Sequence, residues 1–294
     1  MRNKYNVGLI QMSVSADVES NIKKAVDFTY STADKGANII CLPELYASQY
    51  FCQKEDIDLF DLAETVPGIS SETFRKVAKD TKTVILVPIF EKRAVGLYHN
   101  SLLIINSDGN LLGIYRKMHI PDDPAYYEKF YFTPGDLGFK AFDTEYSKIG
   151  GLICWDQWFP EGARITTLMG ALVLFYPTAI GWHPYEKEKY GAQQRDAWIT
   201  VQRGHAIANG VYVCACNRTG FEKTVDNQAG IEFFGSSFIA DPQGVIIAQA
   251  PVDEEAIVIA EIDISRIEDV RRNWPYLRDR RIDAYSELTK RFID

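Results

Sequence analysis

Short runs of Val, Ile, Leu and Cys, apolar on both faces, recur along this chain, and amphipathic stretches of helical length lie between them. This alternation constrains the fold more than any other feature. A strand that is apolar on both faces has to be covered on both sides. The runs are VGLIQM (7–12), ANIICLP (37–43), TVILVPIFE (83–91), SLLIIN (101–106), LLGIYRK (111–117), IGGLIC (149–154), ALVLFYP (171–177), VYVCACN (211–217), GSSFIADPQGVIIAQA (235–250) and EAIVIAEID (255–263). Helices are expected over 17–35, closed by Gly36; 70–80, opened by Ser70 and Ser71; 160–169, started by Pro160; and 187–209, closed by Gly210.

The order repeats. From residue 5 it runs strand, helix, strand, helix, strand, then a hairpin through SDGN (107–110). From residue 148 the same order ends in a hairpin through DPQG (241–244). Two such halves predict an α/β protein in which each half forms a sheet with helices on one face. Stacking the sheets gives a four-layer αββα sandwich with internal pseudo-two-fold symmetry. No linker or low-complexity segment divides the 294 residues, so a single domain over 1–294 is expected.

Composition narrows the classes of function. A net charge of -8 argues against nucleic acid and anionic membrane as partners, since both favour basic faces. No apolar stretch approaches the ~20 residues of a membrane-spanning helix. The N-terminal MRNKYNVGLIQM enters the first run without an apolar leader. The five cysteines are odd in number and mostly lie inside apolar runs, which is not a disulfide framework. A reducing, cytoplasmic compartment is the expectation.

Three residues stand just past strand-like runs: Glu44 in CLPELY, Lys117 in YRKMHIP and Cys154 in GLICWDQWFPE. Ligand sites in open α/β sheets gather at the carboxyl ends of strands. A thiol is only a few per cent ionised at neutral pH, so a nucleophilic cysteine needs a base, and a carboxylate in a dry pocket can serve. An ammonium can stabilise an oxyanion. The Trp155 N–H is placed to be a second donor, and a helix starting at Pro160 adds a positive dipole end. Each residue alone also has an ordinary reading, Cys154 as core, Glu44 as a turn acid and Lys117 as an edge-strand lysine. Their joint occurrence favours chemistry. A Cys–His pair is the rival, with His119 nearer the motif than His99, His183 or His205, but none carries a protease-like signature. Cys214, Cys216 and His205 lack the paired spacing of a zinc site, so both cysteines are expected in the core. No metal and no organic cofactor is expected.

With PELY, YRKMHIP and ICWDQWFPE present in that order, the sequence resembles the nitrilase superfamily of carbon–nitrogen hydrolases over about residues 5–285. The resemblance implies an αββα fold, Glu44 as general base, Lys117 as oxyanion stabiliser and Cys154 as nucleophile. It also implies a second carboxylate, Glu128 in PDDPAYYEKFYFTPGD, that orients Lys117 and the substrate. The residues alone do not distinguish Glu128 from Asp122, Asp123 or Glu145.

The strings IPDDPAYYEKFYFTPGDLGFKAF, LFYPTAIGW and EFFGSSFIADPQG are most similar to a branch that acts on a small cationic ureido compound. Such a substrate needs its carbonyl between Cys154, Lys117 and the Trp155 N–H. Its chain needs an aromatic wall, for which Tyr126, Tyr127, Phe130, Trp155, Trp158 and Trp182 are candidates. Its ammonium needs acids, for which Asp122, Asp123 and Glu186 are candidates. Arg195 and Arg218 would suit a carboxylate tail instead. Other branches process nitriles, ω-amides or β-ureido acids, and an inactive binding protein is the alternative from another class. The segment 266–294, with RIEDVRRNWPYLRDRRIDAY, is expected to be an interface extension in a homo-oligomer, a dimer or larger.

Overall fold

The doubly apolar runs become strands of two stacked sheets. The computed structural model describes residues 3–223 and 230–293, so the expected domain over 1–294 extends past the described residues at 1, 2, 224–229 and 294. The first half holds β1 (Lys4–Gln11), α1 (Val18–Asp34), β2 (Ile39–Cys41), α2 (Ile69–Thr81), β3 (Val84–Ala94), β4 (Leu97–Ile105) and β5 (Leu111–Arg116). A short helix, α3 (Glu128–Tyr131), leads to β6 (Ala141–Asp143), β7 (Lys148–Gly151), α4 (Pro160–Leu168), β8 (Val173–Thr178) and β9 (Gly181–Trp182). The rest is α5 (Pro184–Asn209), β10 (Tyr212–Asn217), β11 (Thr219–Lys223), β12 (Gly230–Phe234), β13 (Phe238–Ala240), β14 (Ile246–Gln249), β15 (Ala256–Asp263) and α6 (Ile264–Asn273).

One sheet has the order β15-β1-β2-β3-β4-β5 and the other β14-β13-β10-β8-β7-β6. The repeat holds strand for strand. Three strands run parallel in each (β1, β2, β3; β7, β8, β10), followed by an antiparallel hairpin pair (β4, β5; β13, β14). A further antiparallel strand flanks the first of each trio, β15 on β1 and β6 on β7. The C-terminal strand thus closes the first sheet rather than the second, which its position in the chain does not reveal. A third sheet, β11-β12-β9, was also not legible in the apolar runs.

The strand period of two sorts side chains into layers. Val7, Leu9, Ile39, Cys41, Val84 and Leu86 share one buried cluster with Leu152, Phe175 and Val213 of the second sheet. Ile10, Ile40, Ile85 and Val87 cluster with Ile22, Ala25, Phe74 and Val77 of α1 and α2. Ala163, Trp198 and Ala206 of α4 and α5 join the second sheet. The sheets meet closely: a Cβ on Gly151 would lie 2.5 Å from Leu102 Cδ2 of the opposite sheet. Each large apolar side chain sealed in these layers, such as Phe74, contributes about 1.5–3 kcal/mol of transfer free energy.

Two helix starts differ from expectation. α2 begins at Ile69 because Gly68 is its cap, with the Gly68 N–H donating to Ser71 Oγ at 2.8 Å, while the Ser70 N–H donates to Glu64 Oε2 at 2.7 Å. α5 begins at Pro184 rather than 187, a proline at the first helical position being a start signal. Among the described residues no helix is long and apolar enough to cross a membrane.

Candidate active site

Glu44, Lys117 and Cys154 follow the ends of β2, β5 and β7, two from the first sheet and one from the second. Cys154 opens a one-turn 3-10 helix, Cys154–Trp158, with φ at +42°. Left-handed backbone costs a non-glycine residue about 1–3 kcal/mol, so the surrounding structure has to hold it. Asp156, wholly buried, does this. Its Oδ2 accepts the Ile153 N–H (2.9 Å) and the Tyr115 hydroxyl (2.7 Å), and its Oδ1 accepts the His119 backbone N–H (3.0 Å). His119 Nδ1 lies 2.7 Å from the same Oδ1, and the ring stacks on Phe159 at 3.8 Å. The turn bearing Cys154 is thereby tied to the chain just past Lys117, and His119 is committed to Asp156 rather than to the cysteine.

Lys117 is fully buried between two carboxylates. Its Nζ donates to Glu44 Oε1 at 2.8 Å and to Glu128 Oε2 at 2.6 Å. Asn100 Nδ2 donates to the same Glu44 oxygen at 2.7 Å, and the Tyr50 hydroxyl donates to Glu128 Oε1 at 2.7 Å. The second Glu44 oxygen, Oε2, is buried with no hydrogen-bond partner. It is left as a free acceptor, and the Glu44 charge is felt at the Cys154 thiol. Burial by itself would push the Lys117 ammonium down, but Glu128 and Glu44 outweigh it and hold it well above its ordinary value. Burial pushes the Glu128 carboxyl up, and the Glu44 charge adds to this against the pull of Lys117. Burial, then Glu44, push the Cys154 thiol well above its ordinary value, while Lys117 and the Ala179 N–H act the other way. Burial and the neighbouring carboxylates thus favour the thiol form of Cys154 over the thiolate.

Cys154 and Glu128 lie in the wall of a cavity of about 420 Å³. Trp155, Trp158, Tyr126, Phe234 and Ile180 supply its apolar lining, and Asp123, Glu186, His183, Gln157 and Gln194 its polar lining. Tyr126 is fixed by its hydroxyl, which lies 3.3 Å from the Gly181 N and 3.4 Å from the Gly181 O. Glu186 Oε1 accepts from Gln194 Nε2 at 3.1 Å.

Four of the expected pocket residues lie elsewhere. Asp122 is exposed and its neighbour Asp123 takes the lining position. Trp182 is packed on Phe234, with its Nε1 donating to the Gly191 carbonyl at 2.9 Å, so it supports the wall from behind. Tyr127 and Phe130 are outside the lining as well. Arg195 donates to Ser236 Oγ and Arg218 is sealed in the interior, so neither reaches the cavity. Cys214 and Cys216 are buried between the sheets, and Cys216 Sγ contacts the Ile10 and Cys41 carbonyls at 3.3 Å. All five cysteines are free. Among the described residues no three His, Cys, Asp or Glu side chains converge to hold a metal ion. Tyr50, Asn100 and Asp156 were not singled out from sequence. Their roles arise from contacts 78, 56 and 41 residues away, which no local pattern encodes.

The model of the carbon-nitrogen hydrolase family matches residues 6–272. An N-carbamoylputrescine amidase of Arabidopsis thaliana is 46% identical over 98% of this chain and 96% of its own length. A citrullinase of Francisella tularensis is 39% identical, over 97% of this chain and 98% of its own. A crystal structure of a carbon-nitrogen hydrolase from Helicobacter pylori G27 superposes with a TM-score of 0.95, at 46% identity, covering 99% of this chain and 100% of that one. The Glu–Lys–Cys cluster at the strand ends, the αββα frame around it and the near full-length likeness agree: this chain belongs to the carbon-nitrogen hydrolase family and is a hydrolase of carbon–nitrogen bonds.

Proposed function

We propose that this chain hydrolyses N-carbamoylputrescine to putrescine, carbon dioxide and ammonia through an acyl intermediate on Cys154. The observation that carries the substrate is the charge of the cavity. Asp123, Glu128 and Glu186 line it, Glu128 already paired with Lys117, and among the described residues no Lys or Arg does. Such a wall accepts an ammonium tail and disfavours a carboxylate one, which wants a bidentate Arg. The plant amidase supports the same substrate.

In the proposed reaction the free oxygen of Glu44 takes the thiol proton as sulfur attacks the ureido carbon. The oxyanion rests on Lys117 Nζ and the Trp155 N–H. The tetrahedral species collapses, one nitrogen leaves with the proton carried by Glu44, and a thioester remains. A water deprotonated by Glu44 then attacks the thioester, the sulfur leaves and recovers its proton, and the released carbamic acid decomposes to carbon dioxide and an amine. Overall, one water is consumed. Glu128 holds Lys117 in line and is itself held by Tyr50. Tyr126, Trp155 and Trp158 flank the methylenes, and Glu186 with Asp123 faces the ammonium.

The five reduced cysteines support a cytoplasmic setting. Exposed Trp274, Ile282, Phe292 and Ile293 near the C-terminus, together with Leu168 and Met169 on and beside α4, support 266–294 as an interface extension of a homo-oligomer. Sedimentation of the protein with and without that segment tests this, and an unchanged monomeric mass in both would refute it.

The test of function is ammonia release with N-carbamoylputrescine, citrulline, β-ureidopropionate and a simple ω-amide side by side, with Cys154→Ala as control. Release from the first substrate, abolished in the variant, is the expected result. Faster release from citrulline would transfer the assignment to an amino-acid tail. Full turnover by Cys154→Ala would overturn the chemistry.

A further inference from the structure

We infer that Arg218 and Glu222, a buried ion pair outside the reacting groups, form the positioning device that sets both carboxylates flanking Lys117. The segment from Leu42 to Tyr50 that carries Glu44 has no sheet ladder of its own, and Leu45 within it has φ at +49°. One guanidinium supplies what the ladder does not. Arg218 Nη2 donates to the Glu44 carbonyl at 2.7 Å and to the Leu45 carbonyl at 2.8 Å, and Nη1 donates to the Ser48 carbonyl at 3.3 Å. A planar fork is the group suited to several fixed acceptors at once.

Glu222 completes the device from the other side. Its Oε1 accepts from Arg218 Nη1 at 2.7 Å and its Oε2 accepts the Tyr50 N–H at 2.6 Å. The Tyr50 hydroxyl in turn donates to Glu128. The pair therefore reaches Glu44 through its backbone and Glu128 through Tyr50. Both side chains are out of solvent, with Arg218 against the face of Phe233. Leaving either charge unpaired would be costly, so the pair is more than a surface ornament. Its contacts are spent on the acid-bearing segment.

This rests on the reading of Glu44 as the base for Cys154, and the test separates the two. Arg218→Lys keeps the charge but loses the fork, and Glu222→Gln keeps an acceptor for Tyr50. Both are compared with wild type and Glu44→Gln in turnover of N-carbamoylputrescine, in thermal melting, and in the pH dependence of Cys154 alkylation by iodoacetamide, read by mass of the Cys154 peptide. Misplacing a reacting group by about 1 Å costs on the order of 100-fold. Arg218→Lys is therefore expected to lower kcat and the alkylation rate by about 10–100-fold, with KM little changed and the alkylation profile moved toward that of Glu44→Gln. Glu222→Gln should show a smaller loss of the same kind, and it stands as the measurement if Arg218→Lys does not fold. Wild-type kcat and wild-type alkylation in the folded variants, with only the melting temperature lowered, would overturn the inference. Alkylation that responds to Arg218→Lys but not to Glu44→Gln would overturn the role of Glu44 and, with it, the proposed link. If wild type does not turn over N-carbamoylputrescine, the substrate reading fails and the alkylation arm alone decides the positioning role.

Discussion

Replacing Lys117 by methionine should make stability fall more steeply with rising pH. The substitution keeps the length of the side chain and removes the cation. Its ammonium lies 2.8 Å from Glu44 Oε1 and 2.6 Å from Glu128 Oε2, with all three side chains essentially out of solvent. Breaking a buried pair by removing one partner costs about 3–5 kcal/mol. Native domains have roughly 5–15 kcal/mol in total, so the variant folds with a reduced margin.

The pH dependence follows from Glu128. Burial raises its folded pKa, and Lys117 is the largest influence holding it down. Without Lys117 the folded value rises further, while the unfolded value stays near the usual ~4.3. A carboxyl with a raised folded pKa contributes stability that is complete below the unfolded pKa and is lost as pH rises toward the folded one. In the variant that loss continues to higher pH than in wild type. Each pH unit over which the variant keeps a proton that wild type has released adds about 1.4 kcal/mol to the difference. With wild-type Glu128 raised to about 7, the roughly 1.5 units up to pH 8.5 add about 2 kcal/mol. Urea unfolding followed by tryptophan fluorescence, at about pH 5.5 and about pH 8.5 and one protein concentration, measures it. A destabilisation that is equal at both values, or larger at the lower one, would refute the reasoning.

Asp156→Asn turns one acceptor into a donor, and in either amide orientation the new NH2 faces a backbone N–H that the carboxylate satisfied, that of Ile153 or that of His119. The expected cost is about 1–3 kcal/mol in stability and about 100-fold in kcat, read by thermal melting and steady-state kinetics. Glu186→Gln should raise KM for N-carbamoylputrescine about tenfold, roughly 1.4 kcal/mol, while n-butylurea, which lacks the ammonium, shows no change. Gly181→Ala would drive its Cβ into the Glu232 carbonyl and the Ile231 side chain where β9 meets β12. Since the same residue meets the Tyr126 hydroxyl, a stability loss of about 1–3 kcal/mol should be accompanied by a higher KM.

Much of this fold was legible because the burial of each strand is written in its own residues. ANIICLP and ALVLFYP have no polar face, so each needs a layer on both sides, and the repeat of that pattern in two halves fixed the sandwich. Glu44, Lys117 and Cys154 were legible for a related reason, since each stands at or just past the end of such a run. β15 was visible as a strand but not as the neighbour of β1, because pairing across more than 240 residues leaves no local mark. The cavity wall was legible only in part. Tyr126 and Glu186 line it, whereas Trp182, equally aromatic in the string, turns to Phe234 and Gly191 because β9 pairs with β12. Side-chain direction there depends on a three-stranded sheet that the apolar pattern did not announce. The same holds for Arg218, a candidate clamp for a carboxylate substrate by composition and an internal tie by geometry.

The placement of the three central residues has a mechanical consequence. Glu44 and Lys117 follow strands of one sheet and Cys154 a strand of the other, so the proposed base and nucleophile are brought together across the contact between sheets. That contact is tight where Gly151, three residues before Cys154, faces Leu102 of β4, the strand that also carries Asn100. Cores are close-packed and respond to a change of a single methylene. A larger residue at Gly151 would push the sheets apart at that point and widen the gap between Cys154 and Glu44. A smaller one at Leu102 would leave a void beside the strand that holds Asn100 against Glu44. Stability losses in the two cases are of the ordinary size for overpacking, about 1–3 kcal/mol, and for a core cavity, about 2–5 kcal/mol. Catalysis is far less tolerant of displacement than packing is, because about 1 Å between reacting groups is worth on the order of 100-fold in rate. In the proposed reaction the inter-sheet core therefore positions the reacting groups without touching substrate. Two buried carboxylates hold the segments that meet there, Asp156 the cysteine turn and Glu222 the segment that carries Glu44.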